Sequence, residues 1–250
     1  MRFLVFGFTL FTITPMALAA EIQVMSSLAI REAYLELVPR FESQTKHKVA
    51  TSWVGMVDIL KRVKGGETTD LIIGSAAALE ELIKAGKIEP ASRSDLVKSG
   101  VGVAVRAGAP RPDISSGEAV KRALLKAGSI AYSSGPSGVY LTGLFERWGI
   151  AEQLKPKVTQ TPPGVAVGGV VARGDAEIGF QQVSELLPVA GIDYIGPLPP
   201  DIQVITVFSG GVHVAARQPA AAKELIKFLA SPAAAPVIRR KGMEPAGADL

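Results

Sequence analysis

The sequence predicts an α/β protein with two lobes, each a mostly parallel sheet flanked by helices. Short apolar segments alternate with amphipathic helical segments from residue 22 onward, and this order is typical of parallel sheets covered by helices on both faces. Two segments interrupt the alternation: 107–113, which is rich in glycine and proline, and 197–200, which is rich in proline. Such breaks are common where a chain leaves one domain for another, so they indicate that the chain crosses twice between the lobes.

The first third of the chain contains three strand–helix pairs. Buried-looking strands are predicted at 22–25, 48–53 and 70–74. Apolar residues recur at helical spacing after each strand, and the clearest set runs from Ile30 to Phe41. The helices that follow the second and third strands end at Gly65 and Gly86, because glycine commonly terminates a helix.

The alternation continues beyond the first break. We predict a strand at 102–105, a helix at 117–127, a strand at 129–133, helices at 139–149 and 165–173, a strand at 177–180 and a helical turn at 183–187. After the second break we predict a long strand at 204–216 and helices at 219–229 and 233–241. The first and last thirds would then share a lobe: residues 21–105 and 204–250 form lobe 1, and residues 106–203 form lobe 2.

The N-terminal segment, residues 1–20, has the pattern of a secretory signal peptide. Arg2 supplies a positive charge, an uncharged apolar run follows, and Ala17-Leu18-Ala19 resembles a cleavage site. Pro15 interrupts a run that is already shorter than the roughly 20 residues a spanning helix needs. We therefore expect export to the periplasm and removal of this segment near Ala19 or Ala20.

Composition excludes several classes of function. The chain has no cysteine, which rules out disulfides, thiol catalysis and cysteine-ligated zinc. Its two histidines, His47 and His213, are too far apart in sequence to suggest a metal site, so we expect no metal and no cofactor. The formal net charge of +4 is scattered and aromatics make up only 6%, so nucleic acid is not expected as a partner.

Several segments, in order, resemble the type 2 periplasmic binding proteins and specifically their molybdate-binding branch. The opening strand Ile22–Met25 with its helix resembles the start of that family, and Gly66–Ile73 resembles its Gly-x-x-x-Asp-hydrophobic segment. Further similar segments span nearly the whole remaining chain: Arg173–Gly179, Phe228–Pro232 and Lys241-Gly242-Met243. The resemblance implies a monomeric receptor that closes two lobes on a small anion and delivers it to an inner-membrane ABC permease.

The ligand site departs from the molybdate pattern. The resemblance implies two serine hydroxyls at helix N-termini and a tyrosine on a third loop. This sequence has Ala29 at the first position, Met56 or Val57 at the second, and Gln182 at the third. A desolvated tetrahedral dianion needs hydrogen-bond donors from several directions, so the sequence predicts that an organic polycarboxylate binds better than molybdate.

Candidate ligand residues lie where predicted strands meet helices, because ligands bind at such ends in α/β folds. Arg31 offers a bidentate fork for a carboxylate, and the loop from Ser133 to Gly138 has the hydroxyls and glycines of an anion cradle. That loop lacks the Gly-Lys-Ser/Thr sequence of a nucleotide-binding loop. The full predicted set is Ser26, Ser27, Arg31, Trp53, Ser133, Ser134, Gly135, Ser137, Tyr140, Gln181 and Gln182.

An enzyme on the same scaffold is the alternative hypothesis. Some proteins that resemble the molybdate family are periplasmic aconitate isomerases, which shift a double bond within a tricarboxylate. The resemblance would imply a base that removes an allylic proton. Tyr140, Glu32 and Glu185 are candidates for that base, and the sequence does not select among them.

Overall fold

A computed structural model describes residues 19–247 of the protein, a range that excludes all but the end of the predicted signal segment 1–20. Ten strands are present in this range: β1 Glu21–Ser26, β2 Lys48–Trp53, β3 Leu71–Ser75, β4 Ser94–Arg106, β5 Ile130–Ser133, β6 Val158–Thr161, β7 Ile178–Gln182, β8 Ile192–Pro197, β9 Ile205–Val212 and β10 Glu244–Pro245. They form two open sheets that share one long strand, β4.

Ten α-helices accompany the strands in the described range: α1 Arg31–Thr45, α2 Met56–Lys64, α3 Ala76–Lys84, α4 Gly117–Lys126, α5 Pro136–Arg147, α6 Ala151–Leu154, α7 Val167–Arg173, α8 Val183–Leu186, α9 Pro219–Leu229 and α10 Ala235–Arg240. A short 3₁₀ turn, Leu28–Ile30, connects β1 to α1. No helix within residues 19–247 is long and apolar enough to cross a membrane.

Lobe 1 is built on the sheet β2-β1-β3-β9-β4. Apolar residues of α1, α9 and α10 cover one face of this sheet, and apolar residues of α2 and α3 cover the other. Strand β3, inside this sheet, is covered on both faces, and each of its residues from Leu71 to Ser75 is buried. This matches the run of apolar residues expected for a central strand with helices on both faces.

Lobe 2 repeats the arrangement with the sheet β6-β5-β7-β4-β8. Its main core lies beneath α4, α5 and α6, and a smaller core lies beneath α7. The pairs within β2-β1-β3 of lobe 1 and β6-β5-β7 of lobe 2 are parallel, and the pairs made by β4 and β9 are antiparallel. The predicted α/β architecture is confirmed, while the sheets are mixed: parallel pairing holds only within β2-β1-β3 and β6-β5-β7.

The two crossings between lobes lie side by side. Strand β4 pairs with β9 from Ser94 to Gly100 and with β7 and β8 from Val101 onward, so the first crossing falls at Gly100–Val101. The second crossing is at Gln203, whose side-chain amide accepts from the Val101 N–H (2.9 Å) and donates to the Val101 carbonyl (3.0 Å). The Gln203 side chain therefore pairs with Val101 as a backbone peptide group of a neighbouring strand would. These two hydrogen bonds link the two crossing segments. The boundaries predicted from the sequence are 105/106 for the first crossing and 203/204 for the second.

The lobes also touch on both sides of the crossing, so the structure represents a closed state. A Cβ atom built on Gly55 of lobe 1 would lie 2.7 Å from the Gly164 nitrogen of lobe 2. On the C-terminal side, a Cβ at Gly242 would lie 2.4 Å from a methyl carbon of Leu187, the residue that follows α8. Side chains at either glycine would therefore hold the lobes apart.

Candidate functional site

The closed lobes meet around a small cavity of about 40 Å³ beside the crossing strands. Its walls come from five connections between strands and helices: β1 to α1, β2 to α2, β5 to α5, β6 to α7 and β7 to α8. The lining residues are Ser27, Leu28, Ala29, Gly55, Met56, Ser133, Ser134, Gly135, Pro136, Pro162, Pro163, Gly164, Val165, Gln181, Gln182, Glu185 and Phe208.

Two helices direct uncapped N-termini at this cavity. Gly55 precedes α2 and Gly135 precedes α5, and neither residue has a side chain that could accept from the free N–H groups of the first turn. A helix N-terminus without a cap carries a partial positive charge and free donors. Because no lysine, arginine or histidine lines the cavity among the described residues, these N–H groups supply its positive potential.

The loop before α5 depends on one glycine. A Cβ at Gly138 would lie 1.5 Å from the Ser133 carbonyl oxygen, so only glycine allows α5 to approach the end of β5 this closely. Ser133 Oγ is hydrogen-bonded to the buried Ser137 Oγ at 2.9 Å, which fixes the start of the loop. Ser134 and Gly135 are left facing the cavity.

Six of the eleven predicted ligand residues line the cavity: Ser27, Ser133, Ser134, Gly135, Gln181 and Gln182. Ser27 is partly committed to its own helix, because its Oγ accepts from the Ala29 N–H at 3.4 Å. The Gln182 amide is committed to the crossing strands. Its oxygen can accept from Thr206 Oγ1 at 3.0 Å while its nitrogen donates to the Ser99 and Gly100 carbonyls at 3.1 and 3.2 Å.

The other five predicted residues lie outside the cavity in this closed state. Ser26 is fully buried and its Oγ donates to the Ser27 carbonyl. Trp53 packs edge-on against Tyr34, and the Arg31 guanidinium lies over the Trp53 ring, 5.9 Å from its centroid. Ser137 supports Ser133 from beneath the loop.

Tyr140 is the fifth of these residues. Its hydroxyl donates to the Ile202 carbonyl at 2.5 Å, and its ring borders an apolar groove at the mouth of the cleft. The phenol is therefore directed toward the second crossing of the chain and not toward the cavity.

Sequence reasoning missed the 162–165 loop and the role of Gly55. The pair Pro162-Pro163 followed by glycine resembles an ordinary turn, and nothing local shows that it faces another lobe. Ala29 and Met56, identified as departures from the molybdate pattern, do line the cavity. The Met56 thioether lies against Gly74, where a Cβ would be only 2.8 Å from the sulfur, and it accepts weakly from the Ser75 N–H.

Glu185 is the one ionisable side chain among the described residues that line the cavity. Burial raises the pKa of Glu185 to about 7, and a hydrogen bond from the Gln181 amide opposes that rise. Gln181 Nε2 donates to Glu185 Oε1 at 2.8 Å, and Gln181 Oε1 accepts from the Val167 N–H at 2.8 Å. A carboxyl with this pKa exchanges protons readily near neutral pH.

Comparisons with known proteins agree with this architecture. An aconitate isomerase of Pseudomonas sp. is 38% identical, with 97% of this chain and 95% of that protein aligned. The molybdate-binding protein ModA of Escherichia coli (strain K12) is 22% identical over 93% of each chain.

Solved structures show the same fold. The periplasmic molybdate-binding protein of Azotobacter vinelandii superposes with a TM-score of 0.73 at 19% identity, covering 89% of this chain and 98% of that one. The sulfate-binding protein SubI of Mycobacterium tuberculosis superposes with a TM-score of 0.74 at 20% identity, covering 92% of this chain and 88% of that one. The predicted type 2 periplasmic binding fold is thus confirmed.

A family model described as "Bacterial extracellular solute-binding protein" matches residues 22–244, which is nearly all of the described range. The chain belongs to this family of bacterial extracellular solute-binding proteins.

Proposed function

We propose that the protein captures a small organic polycarboxylate between its lobes in the periplasm, for delivery to an inner-membrane ABC permease. The observation that carries the proposal is the inter-lobe cavity, whose donors are two uncapped helix N-termini and the hydroxyls of Ser27, Ser133 and Ser134. Such donors suit an anion, since they satisfy charge without a fixed cation.

The preference for a carboxylate over molybdate follows from two cavity residues. Ala29 and Met56 have no hydroxyl to donate, although the molybdate pattern implies serines at those positions. A hydrogen bond to a charged group contributes about 1.5–3 kcal/mol, so two such losses correspond to roughly 10²–10⁴ in affinity. The 38% identical relative, named as an aconitate isomerase, supports the same ligand class.

Calorimetry on the mature protein tests the ligand class. We expect trans-aconitate and citrate to bind at least about tenfold more tightly than molybdate or sulfate, because the cavity lacks two hydroxyl donors that a tetrahedral dianion would need. Tight molybdate binding with no carboxylate binding would overturn the proposal.

Isomerisation of the bound polycarboxylate is a second candidate function. The specific observation in its favour is Glu185, a carboxyl with a pKa near neutrality that borders the cavity. Proton NMR of trans-aconitate with catalytic amounts of protein separates the two functions. Conversion to the cis isomer over many turnovers indicates an enzyme, whereas stoichiometric binding without conversion indicates a receptor.

A further inference from the structure

The structure distinguishes among the three groups that the sequence offers as a base. Tyr140 is held by the Ile202 carbonyl, and Glu32 lies on α1, where it contacts Arg31 at 3.3 Å. Neither residue borders the cavity, while Glu185 does. Position alone therefore selects Glu185 as the group that could touch a bound anion.

Glu185 also borders a second space that opens outward. This outer opening is lined by Leu28, Arg31, Glu32, Gly164, Ala166, Ser184, Glu185, Pro188 and Val189. The carboxyl thus lies between the enclosed cavity and a route to solvent. The charged groups that share this opening are Arg31 and Glu32, and they form an ion pair with each other. A proton on Glu185 can therefore exchange with water while a ligand remains enclosed.

Gln181 fixes the direction of the Glu185 carboxyl. The Val167 N–H requires an acceptor, so the amide oxygen of Gln181 faces α7 and its NH₂ group must face Glu185. One oxygen of Glu185 is occupied by this bond, and the second oxygen is left for another partner. The donor also stabilises the ionised carboxylate, which is the form that a base requires.

We propose that Glu185 carries a proton between two carbons of an unsaturated polycarboxylate bound in this cavity. The proposal rests on the second candidate function. The carboxylate removes a proton from the methylene carbon next to the double bond, and the C–H electron pair forms a new C=C bond. The electrons of the original double bond take the same proton back from Glu185 at the far carbon. One C–H bond breaks and one forms, with no oxidant and no second reactant.

Glu185→Gln is the direct test, with Glu32→Gln as a matched control at the outer opening. Both variants and the parent protein are titrated with trans-aconitate by calorimetry, and isomerisation and deuterium uptake from D₂O are followed by proton NMR. We expect Glu185→Gln to bind within about threefold of the parent and to lose about 10²–10⁴ in rate, the usual effect of a general base. Glu32→Gln should keep both the affinity for trans-aconitate and the isomerisation rate of the parent protein.

Gln181→Met tests the positioning role with a readout that a structural defect would not produce. Removing the donor to the ionised form raises the pKa of Glu185 further, so the acid limb of the kcat/KM profile should move to higher pH. A variant that is merely misfolded would lose rate at all pH values without moving that limb.

The outcomes distinguish a failure of the role of Glu185 from a failure of the proposed carboxylate capture. A Glu185→Gln protein that still isomerises at the parent rate overturns the assignment of Glu185, as does a parent protein that binds trans-aconitate without isomerising it. In both cases carboxylate capture stands. If no polycarboxylate binds the parent protein at all, the proposed function and the role of Glu185 both fail.

Discussion

The two lobes share one strand order but contribute different chemistry to the cavity. In lobe 1 the strands β2-β1-β3 correspond to β6-β5-β7 in lobe 2, and in each set the strands lead into helices at the cleft. Within residues 19–247, lobe 1 presents one polar side chain to the cavity, Ser27, together with the apolar Ala29 and Met56. Lobe 2 presents its polar groups as a set: Ser133, Ser134, Gln181, Gln182 and Glu185.

This difference indicates separate roles for equivalent positions. A ligand can find most of its side-chain partners on lobe 2 while the lobes are apart, and lobe 1 then adds helix N–H donors and excludes water. Changes in lobe 2 should therefore alter the affinity of the site itself. Changes in lobe 1 should mainly alter closure.

The largest effect is expected from Gly138→Ala in lobe 2. The added methyl group would meet the Ser133 carbonyl at 1.5 Å, so α5 must move and take the Ser134-Gly135 donors with it. We expect the free energy of unfolding to fall by about 1–3 kcal/mol or more, with loss of ligand binding. Urea unfolding and calorimetry measure the two effects.

Gly143→Ala is the matched control on the same helix. A Cβ there meets only the flexible end of Arg147 at 3.4 Å, and alanine favours the helix by about 1 kcal/mol. Equal stability of the Gly138→Ala protein and the parent would show that the approach of α5 to β5 is not tight.

A smaller effect is expected from Gly55→Ala in lobe 1. The backbone at Gly55 is extended, with φ −63°, so alanine introduces no local strain. Its methyl group would nevertheless meet Pro163 and Gly164 across the cleft at 2.7 Å. We expect binding to weaken by about 10–100-fold, because overpacking costs about 1–3 kcal/mol in the closed state only.

X-ray scattering with saturating ligand should show a larger radius of gyration for Gly55→Ala than for the parent protein. Gly169→Ala on α7, which meets only the end of Arg173, serves as the control. If Gly55→Ala closes as fully as the parent, lobe 1 does not act through this contact.

The smallest effect is expected from Arg31→Ala, also in lobe 1. Its guanidinium lies on Trp53 and beside Glu32, outside the cavity, so we expect affinity to change by about threefold or less. Calorimetry with trans-aconitate measures this. A loss beyond about 30-fold would mean that Arg31 swings inward on binding and clamps the carboxylate, as the sequence suggested.

Sequence reasoning predicted elements best where local pattern and burial agree. Helix α9 begins and ends at the predicted residues, because buried apolar residues recur at helical spacing over its whole length. Strand β2 also has the predicted bounds, although its residues are only half-buried or exposed. Strand β8 was missed, since Ile192–Pro197 is only half-buried and shows no clear alternation. The Ser94–Gly100 half of β4 was missed because polar residues interrupt it.

The candidate site was predicted only in part, because sequence shows which loops follow strands but not where their side chains point. Loops that follow strands could be recognised, so Ser133–Gly135 and Gln181-Gln182 were found. The direction of a side chain depends on its tertiary partners, which local sequence does not contain. Arg31 meets Trp53, and Tyr140 meets a carbonyl 62 residues further along the chain.

The central position of β9 determines the order in which the two lobes can be completed. This strand lies between β3 and β4 in the middle of the lobe 1 sheet, yet it comes from residues 205–212, after all of lobe 2. Lobe 2 needs only a contiguous stretch from β4 to β8. A chain emerging N-terminus first can therefore finish its second lobe while its first still has a gap. The first-synthesised lobe is the last to become whole, because its missing strand must close a loop of more than a hundred residues.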